Sequence, residues 1–230
     1  MGAVYLVRHG QASFGKADYD QLSETGFEQA RVLGQSLKER LPRPDAVFTG
    51  SLLRHRQTAE ACQSTWGVDL TPQRIAGFDE FDHDELLQRH TPRYADPAVL
   101  RGELSSHADP RGAFQELFTQ AVARWVEGQH DAEYTEPWPA FRLRCTRALD
   151  TVLQALGPSA TGVVFTSGGP ITALCQELLH IPSEHAFRMN WMLTNCGVTK
   201  VVYSERGRYL STLNEHAHFE GARRALLTYR

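Results

Sequence analysis

The sequence predicts an α/β fold, a three-layer α/β/α sandwich with a mainly parallel sheet. Short apolar runs, AVYLV (3–7), DAVF (45–48) and GVVF (162–165), alternate with longer amphipathic stretches. Each run is rich in β-branched or aromatic residues and apolar on both faces, as central strands covered by helices on both sides are. The alternation of strand and helix is that of crossover connections.

Each element has its own signal. After the first strand, Ser23 is placed to cap ETGFEQARVLGQSLKER, where Phe27, Ala30, Val32, Leu33 and Leu37 give an apolar stripe and Pro42 enforces the stop. After the second, Ser51 is placed to cap LLRHRQTAEACQST. Residues 83–140 carry His, Pro, Arg and acidic residues in short pieces, with helices expected at 112–127 and 138–156. About 80–137 is expected to be a mostly helical insertion over the site, within a single domain spanning 1–230. After the third strand, Pro170 falls in the first turn of ITALCQELL, where a missing N–H costs little. VTKVVY (198–203) and RYLSTL (208–213) join across Ser204–Gly207 as an edge hairpin. An exposed edge there permits a homodimer without requiring one, so monomer and homodimer both stay open.

Composition narrows the function classes. At 230 residues, 41% hydrophobic and 22% charged, the chain matches an ordinary soluble globular protein. A net charge of −3 offers no bulk attraction to nucleic acid or to an anionic membrane. No apolar run approaches membrane-spanning length, and MGAVYLVRHG is expected to be a first strand, not a signal peptide. Cys62, Cys145, Cys175 and Cys196 lack CxxC or CxxxH spacing, so buried thiols in a reducing, cytoplasmic setting are expected, with no zinc site.

Three predicted strands end in polar residues suited to an anion. They are Arg8-His9-Gly10, then Thr49-Gly50-Ser51 with Arg54 one turn on, then Thr166-Ser167-Gly168-Gly169. Ligands of open α/β sheets sit beyond the carboxyl ends of the strands. Two guanidiniums match phosphate oxygens, a helix start offers free N–H groups, and a neutral imidazole is a nucleophile for phosphorus. Together they suggest phosphoryl transfer on a small phosphorylated substrate.

VYLVRHGQ, LSETGFEQA and SLLRHRQTAE, followed by a strand–turn–helix with a Gly pair, resemble the histidine phosphatase superfamily, the phosphoglycerate mutase-like fold. The match runs along nearly the whole chain in the family's order. The resemblance implies that His9 is transiently phosphorylated, that Arg8 and Arg54 bind the phosphoryl group, and that Glu80 in GFDEFDHDELL is the acid for the leaving oxygen. Asp82 is the rival acid in that crowded run, and Gln11 and Ser13 are expected to line the pocket.

The resemblance also exposes a departure. Where the family carries a second histidine, in a pattern like SHGG, this sequence has Ser167 beside Gly168. Loss of a charged donor from such a site costs about 2.7–4 kcal/mol of transition-state stabilisation, which predicts low turnover. His55 and His83 are candidates to fill the gap. The bland alternatives are that His55 packs on the back of its helix and that His83 is a solvated loop residue.

The expected function is therefore a metal-independent, cofactor-free phosphomonoesterase working through phospho-His9. The alternative is an impaired relative that binds a phosphorylated ligand or regulates a partner; a leaving-group acid at Glu80 has little use there. A phosphoglycerate mutase is disfavoured because Phe14 and Gly15 stand where mutases carry Trp-Asn. A serine hydrolase with Ser167 as nucleophile would need Gly, not Phe165, two residues earlier. Substrate contacts are expected from 83–140, including His90, Arg93, Tyr94, His107, Arg111 and Trp138.

Overall fold

The computed structural model describes residues 1–13 and 20–229. Phe14 and Gly15 lie outside the described residues. Six strands form one sheet: β1 (Gly2–Arg8), β2 (Ala46–Thr49), β3 (Gln73–Arg74), β4 (Thr161–Thr166), β5 (Val198–Ser204) and β6 (Gly207–Glu215). Their order is β3-β2-β4-β1-β5-β6. β1 with β4, β4 with β2 and β2 with β3 pair in parallel, while β5 and β6 add the antiparallel edge hairpin.

Period-two alternation explains the layers. Val4, Leu6, Phe48, Val164 and Val201 face one apolar core, and Val7, Val47, Val163, Phe165 and Val198 face the other. The second core is closed by α1 (Glu24–Arg40) and α2 (Leu53–Trp66) through Ala30, Leu33, Leu37, Ala59, Cys62 and Trp66. The first is closed by α6 (Trp138–Leu156) and α7 (Gly168–Leu179), and enlarged by α3 (His83–His90) and α5 (Pro110–Val126). Two shorter helices, α4 (Pro97–Ser105) and α8 (Ser183–Ala186), complete the set described. All four cysteines are buried free thiols. Among the described residues no helix is long and apolar enough to cross a membrane.

α1 leaves β1 towards one face, and α7 leaves the neighbouring β4 towards the other. Neighbouring strands whose helices part in this way open a crevice at their carboxyl ends. Register sets its floor: Arg8 pairs with Thr166, and Thr49 pairs with Phe165. The His9 N–H then donates to the Thr166 carbonyl at 2.8 Å and the Gly50 N–H to the Phe165 carbonyl at 3.0 Å, so the three strand ends finish at one level.

Ser23 caps α1 as expected, accepting from the Gly26 N–H. Ser51 does not cap α2. That helix begins two residues later, Leu52 is its cap residue with no side-chain bond, and Asp20 takes the Leu53 N–H at 2.7 Å. α5 starts at Pro110, capped by Asp109. β3 is two exposed polar residues long and leaves no apolar pattern to detect.

The entry of α1 crosses the end of β1 at backbone contact. A Cβ on Gly26 would stand 2.2 Å from the Gln11 carbonyl oxygen, and one on Gly10 would stand 2.5 Å from the Gly26 carbonyl oxygen. Neither collision is with a side chain that could turn aside. Gly26→Ala is expected to lower unfolding free energy by about 1–3 kcal/mol in urea denaturation. The exposed helical Gly102 meets nothing within 4 Å, and Gly102→Ala is expected to gain about 0.5–1 kcal/mol. Equal melting of the two variants would contradict the packing account.

Candidate active site

His9 stands directly beyond β1, nearly buried. Its Nδ1 lies 2.7 Å from the Gly10 carbonyl, which only accepts, so Nδ1 carries the hydrogen and Nε2 keeps its lone pair. Burial holds the His9 pKa well below the usual histidine value, and the Arg54 and Arg8 charges push the same way. The imidazole is therefore neutral and oriented. Asn195 Nδ2 donates to the His9 carbonyl at 3.1 Å, which fixes the backbone behind the ring.

The two arginines come from different elements. Arg8 closes β1 and donates from Nη1 to the carbonyls of Leu193 and, at 2.9 Å, Tyr229. A Cβ on Gly168 would lie 3.6 Å from Arg8 Nε, which places this guanidinium against the start of α7. Arg54 lies in the first turn of α2, nearly buried, with Nη1 2.7 Å from Asp20 Oδ1. Asp20 thus serves the α2 N-terminus and Arg54 together. Thr58, one turn on, accepts the Gly10 N–H at 3.1 Å and donates to the Arg54 carbonyl at 2.6 Å, tying β1 to α2.

Glu80 reaches the start of α7. Its Oε2 accepts the Gly169 N–H at 3.2 Å, and its Oε1 lies 3.3 Å from the Phe81 nitrogen. Burial raises its pKa above the usual glutamate value, with Arg54 and the two N–H groups opposing. A Cβ on Gly169 would stand 2.0 Å from Glu80 Oε1 and 2.8 Å from the Phe81 ring, so any side chain there would displace the carboxylate. Two anchors hold the carboxylate. Phe81 packs among Trp125, Phe141 and Phe187 at 4.9–5.7 Å between ring centroids. Arg144, paired bidentately with Glu136, donates to the carbonyls of Gly77 and Asp79 at 3.1 and 3.0 Å. Asp82 is instead exposed and caps α3 through the Glu85 N–H at 2.9 Å.

Ser167 follows β4 and is fully buried, as is His55 on α2. His55 does not pack on the back of its helix. Its Nε2 lies 2.7 Å from Ser167 Oγ, and its ring centroid lies 5.8 Å from that of His9. His83 is no solvated loop residue either: it opens α3 edge-on to Phe81 and Phe118, and burial lowers its pKa to about 4. Gln11 and Ser13 brace the turn between β1 and α1, Gln11 Oε1 accepting from Ser23 Oγ and Ser13 Oγ donating to the Leu22 carbonyl. Trp138 and Tyr94 belong to the core, Arg93 pairs with Glu103, and His107 and Arg111 are exposed. Among the described residues no group of three or more His, Cys, Asp or Glu is placed to hold a metal ion.

Comparison with known proteins identifies the family and the fold. A family model described as histidine phosphatase superfamily (branch 1) matches residues 4–126 and 107–216. The fold is similar to that of a phosphoserine phosphatase mutant from Entamoeba histolytica, with 18% identity, 95% of this chain and 99% of that one covered, and a TM-score of 0.67. It is also similar to a phosphoglycerate mutase from Bacillus anthracis, with 18% identity, 94% of each chain and a TM-score of 0.64. A mycobacterial glucosyl-3-phosphoglycerate phosphatase shares 20% identity over 94% of this chain and 99% of its own, with a TM-score of 0.62. No curated protein matches the chain significantly in sequence.

The state of His9 can be tested without any substrate. Long-range ¹⁵N–¹H spectra of the imidazoles are expected to show His9 as the neutral Nδ1–H form at pH 6.5, charging only on further acidification. A cationic ring at that pH would refute the assignment.

Proposed function

The chain belongs to the histidine phosphatase superfamily, and from that premise we propose that it is a metal-independent phosphomonoesterase acting on a small phosphorylated substrate through phospho-His9. One observation carries the proposal: a neutral imidazole with its Nε2 lone pair held available shares a buried site with two arginines and a carboxyl whose pKa is raised.

In the proposed reaction, Nε2 of His9 attacks phosphorus as the bond to the leaving oxygen breaks, and Glu80 gives its proton to that oxygen. Arg8 and Arg54 offset the charge on the equatorial oxygens. Glu80, now a carboxylate, takes a proton from water. That water attacks phosphorus, the Nε2–P bond breaks and inorganic phosphate leaves. No step calls for a metal or cofactor. A buried carboxyl of raised pKa suits proton donation and adds nothing to anion binding, which favours an enzyme over a module that only binds phosphorylated ligands. Ser167 and the Gly168–Gly169 turn supply neutral donors where the family has a charged one, and on that ground turnover is low compared with two-histidine relatives.

The direct test is a phosphoenzyme trap with a labelled phosphomonoester, quenched in alkali. Acid-labile label is expected on wild type and absent from His9→Ala. Wild-type hydrolysis no faster than that of His9→Ala would overturn the proposal.

The pH profile gives a second test. His9 must be unprotonated to attack, so kcat/KM rises with pH through its lowered pKa. Glu80 must be protonated to donate, so kcat/KM falls as pH climbs through a pKa above the ordinary 4.5. Glu80→Gln is expected to cut kcat by about 10²–10⁴ and to erase the falling limb. A falling limb unchanged in Glu80→Gln would assign the acid elsewhere.

A further inference from the structure

Ser167 is the cap residue of α7, yet its hydroxyl makes no capping bond. A serine cap ordinarily accepts an N–H from its own first turn, a bond worth about 1 kcal/mol. Here the hydroxyl turns to His55 Nε2 instead, at 2.7 Å. Both residues are fully buried, and His55 Nδ1 has no hydrogen-bond partner. Asp79 Oδ1 lies 3.8 Å from that nitrogen while accepting the Ser51 N–H at 2.5 Å. The backbone is cleared for this arrangement: a Cβ on Gly50 would stand 2.3 Å from His55 Nδ1 and 2.6 Å from Asp79 Oδ1.

A purely structural histidine would be expected to satisfy both nitrogens, since an unmet buried polar atom costs about 1–3 kcal/mol. Nδ1 instead faces a carboxylate that is just beyond bonding distance. Burial first, and the Arg54 charge second, hold the His55 pKa well below the usual histidine value. A phosphoryl dianion bound nearby would offset the Arg54 charge and, with the Asp79 carboxylate 3.8 Å from Nδ1, would itself favour the charged imidazole against the cost of burial.

We propose that Asp79, His55 and Ser167 form a relay to the bound phosphoryl group, in which Ser167 Oγ donates to a phosphoryl oxygen and His55, oriented by Asp79, strengthens that donation from behind. This rests on the phosphatase reading of the site. With phosphate bound, His55 takes a second proton from solvent. Nδ1–H then points to Asp79, Nε2–H donates to Ser167 Oγ, and the hydroxyl hydrogen is left for the phosphoryl oxygen. The proton returns to solvent when phosphate leaves, and no covalent bond is made by the three residues. Ser167 is the catalytic residue, because it touches the phosphoryl group; His55 and Asp79 are positioning residues. The relay lifts turnover above what a lone serine would support.

The test uses p-nitrophenyl phosphate with wild type, His55→Ala, Ser167→Ala, the double variant and His55→Ala/Ser167→His. Each single variant is expected to lose about 10²-fold in kcat/KM, mostly in kcat. The double variant is expected to be no worse than the poorer single by more than about threefold, because the residues act as one unit. His55→Ala/Ser167→His places an imidazole in the emptied volume and is expected to regain about tenfold or more over His55→Ala. His55→Gln, which fills more of the volume, guards against a folding defect: it should melt near wild type and still lose rate. Activity of His55→Ala within about threefold of wild type, or losses that multiply in the double variant, would overturn the relay. So would covalent labelling of Ser167 by a fluorophosphonate, which would make that serine a nucleophile. If wild type shows no His9-dependent turnover, the phosphatase reading fails first. The relay is then judged on the Kd for orthovanadate, expected to weaken about tenfold in His55→Ala and to recover in His55→Ala/Ser167→His; an unchanged Kd would refute it.

Discussion

Everything at the site depends on the register of three parallel strands. Arg8 against Thr166 and Thr49 against Phe165 bring a histidine, a helix start and an arginine-bearing turn to one level. A slip of one residue would turn every side chain to the opposite face and exchange the two cores. The alternating apolar residues of β1 and β4 forbid that slip, so the packing that stabilises the sheet also aligns the chemistry. The close crossing of Gly10 and Gly26 seats α1 against the same strand end, which leaves little freedom where His9 emerges.

Burial then acts in opposite senses on the pKa values of His9 and Glu80. Removing a group from water disfavours its charged form, so one dry environment lowers the His9 pKa and raises that of Glu80. Such an environment opposes folding unless the groups are held by hydrogen bonds. The Gly10 carbonyl, the Gly169 N–H and the Asn195 amide supply those bonds. The aromatic cluster around Phe81 and the Arg144 clamp carry Glu80 from outside the sheet, which makes a long helical segment part of the support of the candidate site.

Much of this was legible in the sequence, for physical reasons. Strand ends announce themselves where an apolar run meets Arg-His-Gly or Thr-Ser-Gly-Gly, and the sheet geometry brings such ends together. The helices at 24–40 and 138–156 carried clear apolar stripes. What stayed hidden was set by distant partners. Ser51 had the chemistry of a cap, but Asp20, more than thirty positions away, took that work. Asp79 looked like one of several acidic loop residues, and only the fold sets it beside His55. For His55 the sequence left two readings open, a site residue or one packed on the back of its helix, because its partner lies 112 residues away. Arg144 gave no motif, since it acts on backbone carbonyls.

The far end of the chain also takes part. The Tyr229 carbonyl accepts from Arg8 across 221 positions, Thr228 Oγ1 donates to Asn195, and the Leu226 carbonyl accepts from Gln29. During synthesis these partners emerge after every residue they serve. A nascent chain can pair β1 with β4 while Arg8 still lacks its partner near the end of the chain. Pairing of β1 with β4 and completion of the hydrogen bonds around Arg8 are therefore separable events that the finished molecule shows as one.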